Sequence, residues 1–159
     1  MYSVRHINWK PLLLSLVISL GVGGLAGLLT QGSTSTYQAV RRPLLSPPAG
    51  IFPVVWTILY ILMAISAYLI YETDAECRKP SLTVYGVQLA VNFFWPIIFF
   101  NLHAYLFAFL WLILLWCLVL AMIILFYRCR RSAAFLQIPY LLWLTFALYL
   151  NYSVWMLNK

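Results

Sequence analysis

Three short rows of side chains in this 159-residue chain have the types and spacing to hold a ligand. Gln88, Asn92 and Trp95 recur at i, i+4 and i+7, so a helix carries them on one face. Tyr140, Trp143, Ala147 and Asn151 share a face in the same way, and Trp56, Tyr60 and Met63 make a third stripe. The chemistry on offer is recognition: flat aromatic surface, and carboxamides that both donate and accept hydrogen bonds. An amide left unpaired in an apolar medium costs roughly 2–7 kcal/mol, so these faces are expected to turn toward one another. Spacing alone leaves two readings open. Asn92 and Asn151 either glue helices together, at an average of about 0.6 kcal/mol per bond, or orient a guest in a pocket. Trp and Tyr near span ends equally suit an interfacial aromatic belt.

The remaining polar residues offer no acid–base pair, nucleophile or metal cluster. The apolar spans contain no Asp, Glu, Lys or Arg. Intramembrane ionisable groups mark proton relays and ion-coupled pumps, so a proton-driven exporter is disfavoured. Glu72, Asp74 and Glu76 cluster beside Arg78 and Lys79 and read as a solvated loop rather than a metal site. His6 and His103 stand alone in short polar gaps. The run "GVGGLA", Gly21 to Ala26, matches a dinucleotide fingerprint in form, but its glycines lie mid-span and no acidic residue occurs before Glu72. Gly23 and Gly27 read instead as a GxxxG ridge that lets another backbone approach closely. Cys77, Cys117 and Cys129 are odd in number and lack CxxC spacing, so neither a disulfide framework nor a zinc site is expected.

The elements that must position these rows follow from composition. Apolar residues make up 65% of the chain and charged residues only 8%, against about 25% charged in soluble domains, so the chain belongs in lipid. Crossing a hydrocarbon core of about 30 Å takes roughly 20 helical residues. Five runs qualify: about 12–30, 51–71, 82–100, 104–127 and 135–157. The reading is an all-α fold, an integral membrane bundle of five transmembrane helices forming a single transmembrane domain over 1–159. The N-terminal run is longer than a signal-peptide core of roughly 7–15 residues and is read as a retained helix. Pro11, Pro53 and Pro80 fall in or just before first turns, where a missing N–H matters least. Pro96 lies inside the third span and should kink it.

Counting basic residues in the gaps gives the sidedness. Arg5, Lys10, Arg78, Lys79, Arg128, Arg130 and Arg131 fall on one side, against Arg41, Arg42 and Lys159 on the other. The positive-inside rule then places the N-terminus in the cytoplasm and the C-terminus outside. A net charge of +7 spread over such gaps suits topology and anionic headgroups, not nucleic acid. With short loops and a strong basic bias, a bacterial cell membrane is the expected host.

The segments "PPAGIFPVVWTILY", "QLAVNFFWPIIFF" and "PYLLWLTFALYLNYSVW" resemble the TspO/MBR family, which includes tryptophan-rich sensory proteins and translocator proteins (peripheral-type benzodiazepine receptors). The resemblance runs from about Tyr37 to Trp155, with weaker agreement in the first span. It implies a five-helix bundle, usually a homodimer, with a pocket near the first interhelical loop. It further implies porphyrin or haem as ligand with no required cofactor, and synthetic drug-like ligands as well. By motif, the ligand-binding residues are Tyr37, Trp56, Tyr60, Asn92, Trp95, Trp143, Phe146, Ala147 and Asn151. The chain departs from the family pattern at Leu45, where a loop tryptophan is usual, and at Trp111, where an acidic residue is often found. A C-terminal sterol-type motif is missed, because six residues separate Tyr152 from Lys159 and five are allowed.

The stretch "RRPLLSPPAGIFPVVW", Arg41 to Trp56, fits that reading as the end of a loop lid formed by residues 31–50, running into the second span. Its prolines fix φ and lower the entropy lost when the loop orders. The expected pocket is an aromatic slot between the second, third and fifth helices beneath this lid. Arg41 and Arg42 meet either porphyrin propionates or lipid phosphates. Two functions follow from the resemblance. The first is a receptor or translocator for tetrapyrroles, and the second is oxidative degradation of bound porphyrin using pocket tryptophans.

Overall fold

A computed structural model describes residues 6–159, so Arg5 of the basic count lies outside the described residues. The chain forms α1 (Trp9–Thr30), a short α2 (Thr34–Ala39), α3 (Ile51–Tyr71), α4 (Arg78–Pro96), α5 (Tyr105–Cys129), a short α6 (Arg131–Phe135) and α7 (Ile138–Asn158). Five helical stretches, built on α1, α3, α4, α5 and α7, are long and apolar enough to cross a membrane. Among the described residues there is no strand, and the architecture is an all-α integral membrane bundle.

The helices run further than hydropathy indicates. α1 starts at Trp9, α4 at Arg78, and α5 reaches Cys129, so Lys10, Arg78, Lys79 and Arg128 lie on helical turns after all. They occupy terminal turns, where long basic side chains reach the headgroups. The lid also holds structure that its composition conceals, since α2 occupies its first half. Pro96 ends regular α-helical bonding in α4 because its ring nitrogen has no hydrogen to donate. The next turn, Ile97–Asn101, widens to π-type geometry, and the Leu102 N–H donates to the Ile97 carbonyl at 3.1 Å.

α5 is the spine of the bundle. Leu112, Leu115, Val119, Met122 and Phe126 recur at alternating steps of three and four and are almost completely buried. Against this stripe pack α4 on one side and α7 on the other, while α1 lies chiefly along α3. α6 is tied beneath α3 by the Ser66 hydroxyl, which donates to the Ala133 carbonyl at 2.7 Å.

Two expectations are corrected here. Cys77 and Cys129 form a disulfide, with Cα atoms 5.8 Å apart. Spacing gave no hint, because the pairing is tertiary. An antiparallel α4–α5 hairpin brings the start of one helix beside the end of the other, 52 residues later. The GxxxG reading also changes. Gly23 makes room for the Tyr60 ring, not for a backbone, and Gly27 has nothing within 4 Å of where a β-carbon would stand.

That difference predicts opposite outcomes for two alanine substitutions. Gly23→Ala forces Tyr60 off its seat and should cost about 1–3 kcal/mol. Gly21→Ala meets open space and should be neutral or stabilising by up to about 1 kcal/mol. Thermal unfolding of the two purified variants in detergent checks the contrast.

Candidate functional site

The half of the bundle under the lid holds a cavity of ≈530 Å³, within the roughly 300–1,000 Å³ range of small-molecule sites. Its walls come from α1, the lid, α3, α4 and α7. α3 supplies Phe52, Trp56 and Tyr60 at intervals of four, which is why one face of the helix delivers three rings to one place. Trp56 lies 5.8 Å from Tyr60 and 6.2 Å from Tyr140, measured between ring centroids. α4 presents Asn92 and Trp95, and the wider turn after Pro96 carries Phe99 and Phe100 inward. Trp95 stacks on Phe99 at 5.4 Å with the planes 29° apart. α7 closes the opposite side with Trp143, Ala147 and Asn151.

A hydrogen-bond chain fixes the cavity floor. The Tyr60 hydroxyl donates to Asn92 Oδ1 at 2.8 Å, and Asn92 Nδ2 donates to the Tyr140 hydroxyl at 2.5 Å. That hydroxyl donates in turn to Gln88 Oε1 at 2.9 Å, and Gln88 Nε2 ends the chain on Met63 Sδ at 3.7 Å. Each donor has one acceptor along this path, so the direction of the Asn92 amide is set from below. Its oxygen must face Tyr60 and its nitrogen Tyr140. Deeper still, Ser19 and Tyr85 share a hydrogen bond between their hydroxyls. A second chain runs higher: Trp95 Nε1 donates to Asn151 Oδ1 at 3.1 Å, and Asn151 Nδ2 donates to the Tyr105 carbonyl at 2.9 Å. By contrast, Trp143 Nε1 is buried without a hydrogen-bond partner among the described residues.

The lid is fastened at two points. The Arg41 N–H donates to Asn158 Oδ1 at 3.0 Å, and Asn158 Nδ2 returns a bond to the Arg41 carbonyl at 2.9 Å. Near the other end, the Ser33 hydroxyl donates to Asn101 Oδ1 at 2.7 Å. Tyr37, on α2 of the lid, is buried, edge-on to Phe52 at 5.2 Å, and Phe52 meets Trp143 at 5.9 Å. The Arg42 guanidinium lies 4.8 Å above the Tyr37 ring on the outside.

Of the residues singled out in the sequence, Tyr37, Trp56, Tyr60, Asn92, Trp95, Trp143, Ala147 and Asn151 border this one cavity. Phe146 is not on its wall; it packs on Trp143 at 5.5 Å and Tyr149 at 6.2 Å. Arg41 and Arg42 are exposed at the rim, and neither lines the cavity. Leu45 is 70% exposed and is also absent from the wall, so the side chain at the family's loop-tryptophan position points away from the site. Trp111 spends its indole N–H on the Val91 carbonyl at 2.8 Å. Sequence reasoning missed the α1 wall: Leu20, Gly23, Gly24, Gly27 and Thr30. Their only signal was an unusual density of glycine in a membrane span. Among the described residues no cluster of three metal-ligating side chains occurs.

The fold and cavity define a multi-pass membrane protein with an internal aromatic chamber under a short extramembrane cap. The sequence profile of the TspO/MBR family matches residues 14–156, and the chain belongs to that family. It is 40% identical over 124 residues to Protein CrtK of Rhodobacter capsulatus, covering 77% of this chain and 78% of the relative. The Tryptophan-rich protein TspO of Archaeoglobus fulgidus is 32% identical, over 96% of this chain and 99% of its own. The bovine (Bos taurus) Translocator protein is 33% identical, over 95% and 92% respectively.

The floor chain predicts that Tyr140→Phe strands two buried partners, Asn92 Nδ2 and Gln88 Oε1. The expected loss is about 1–3 kcal/mol of stability. Tyr149→Phe, at an exposed tyrosine, should stay within about 0.5 kcal/mol of the parent. Both are read by thermal unfolding in the same detergent.

Proposed function

We propose that this protein is a membrane receptor or translocator that binds tetrapyrroles, porphyrin or haem, and drug-like hydrophobic ligands in the outer cavity. The observation that carries this reading is a mainly apolar chamber bordered by eight aromatic residues and few polar groups, beneath a lid with fixed anchor points. A flat macrocycle entering it gains roughly 25 cal/mol per Å² of buried apolar surface. Ring contacts add about 0.5–1.5 kcal/mol each. The carboxamides of Asn92 and Asn151 are already engaged, so they present a rigid polar edge instead of reorganising around the guest. The Trp143 N–H is the unspent donor and suits an acceptor on the ligand. Arg42, held on Tyr37 at the rim, is the proposed partner of a propionate. The host is proposed to be a bacterial cell membrane, with the N-terminus cytoplasmic and the cavity opening toward the outside.

A second reading is oxidative breakdown of bound porphyrin. It is favoured by one feature: Trp56 contacts both Tyr60 and Tyr140, so an oxidised indole would have oxidisable neighbours at ring-contact distance. Incubation with protoporphyrin IX in light and in darkness separates the two readings. Spectral binding with no product supports the receptor, while product that disappears in Trp56→Phe supports chemistry.

Blocking the chamber tests the site itself. Gly27 borders the chamber and a β-carbon there meets nothing within 4 Å, so Gly27→Phe puts a ring into the space and should weaken protoporphyrin IX binding at least tenfold, about 1.4 kcal/mol. Unchanged affinity in that variant would place the ligand elsewhere. Replacing Arg41 and Arg42 together with Ala should lower affinity at low salt if they meet the propionates. No change removes them from the site.

A further inference from the structure

We infer that Cys77 and Cys129 form a reversible thiol–disulfide site at the cytoplasmic end of the bundle, exchanging electrons with a small cellular thiol. The inference rests on the orientation proposed above and on three observations independent of the cavity. First, the bond lies at the end where Lys10, Arg78, Lys79, Arg128, Arg130 and Arg131 gather, at the start of α4 and the end of α5. That basic end is the one the positive-inside rule places in the cytoplasm, where cellular thiols keep ordinary cysteines reduced. A disulfide formed there belongs to the transient, regulatory kind. Second, both cysteines are only partly buried, so a small thiol can reach them. Third, the fully buried Ser81 hydroxyl is directed at Cys129 Sγ, 3.6 Å away.

The flanking charges suit the chemistry. Cys77 is followed by Arg78 and Lys79, and Cys129 sits between Arg128 and Arg130, with Glu76 the one acidic neighbour in sequence. Cations beside a cysteine favour its thiolate, which is both the attacking and the leaving form. A small thiolate attacks Cys77 Sγ, the Cys77–Cys129 bond breaks, and Cys129 departs as a thiolate beside the Ser81 hydroxyl. A second small thiolate attacks the mixed disulfide, frees Cys77 and leaves as the small-molecule disulfide. Two electrons pass to the protein, and two protons end on the two cysteines. Reduction removes the covalent tie between the inner ends of α4 and α5, and α4 is the helix that carries Asn92 and Trp95.

The test uses the full chain carrying Cys117→Ser, expressed in a bacterial cell membrane. Inside-out and right-side-out vesicles are equilibrated with glutathione at ratios from oxidising to cytosolic, then treated with a membrane-impermeant maleimide. The expected result is two labels per chain in inside-out vesicles at the cytosolic ratio and none at the oxidising ratio. Adding Ser81→Ala should slow the reduction several-fold. A pair that stays oxidised at every ratio overturns the inference, and so does labelling confined to right-side-out vesicles. Neither result touches the porphyrin titration of Gly27→Phe, so failure here and failure of the proposed ligand site remain distinguishable.

Discussion

In hydrocarbon a polar side chain has no water to fall back on, so each buried amide or hydroxyl must find its partner inside the protein. At the cavity floor this protein meets that demand with a connected path, Tyr60 to Asn92 to Tyr140 to Gln88, which draws on three helices at once. Moving any one of α3, α4 or α7 along its axis would break a link. The path therefore fixes the relative heights of the helices that also supply the cavity's rings. Above it the side chains diverge and enclose space; below it they interlock around the α5 stripe. The two readings of Asn92 that spacing left open are compatible, since its amide is tied to two helices and still borders the cavity.

What was legible in the sequence was whatever lipid forces to be periodic. Five long apolar runs can only be helices, and the few polar and aromatic residues within them fall at helical spacing because they share inward faces. What was not legible lacked either periodicity or a chemical label. The α1 wall includes Gly24 and Gly27, residues whose contribution is the absence of a side chain. α2 was hidden in a polar segment that composition reads as loop. Phe146 is near Trp143 in sequence but turns off the face that Trp143 shares with Ala147, and no motif encodes that rotation. The Cys77–Cys129 bond required knowing that α4 and α5 are neighbours with their ends level.

The lid shows how stiffness and attachment divide the work. Its prolines limit the conformations available to the free segment, while Asn158 and Asn101 set where it rests. Because Asn158 bonds to the main chain of Arg41, that anchor does not depend on the arginine side chain. The Arg41 side chain is thus free of structural duty at this contact, whereas that of Arg42 rests on the Tyr37 ring of the cap.

The bare stretch of α1 has a consequence for what can be admitted. A boundary made of leucine or phenylalanine adapts to visitors of different girth by rotamer hops within nanoseconds. Gly24 and Gly27 offer no torsion to turn, so clearance at those two positions is dictated by the stance of an entire helix. Enlarging the chamber there means tilting α1, a collective motion of the microsecond-to-millisecond class. Bulky guests should consequently reveal themselves by slow entry and exit, whatever their final affinity.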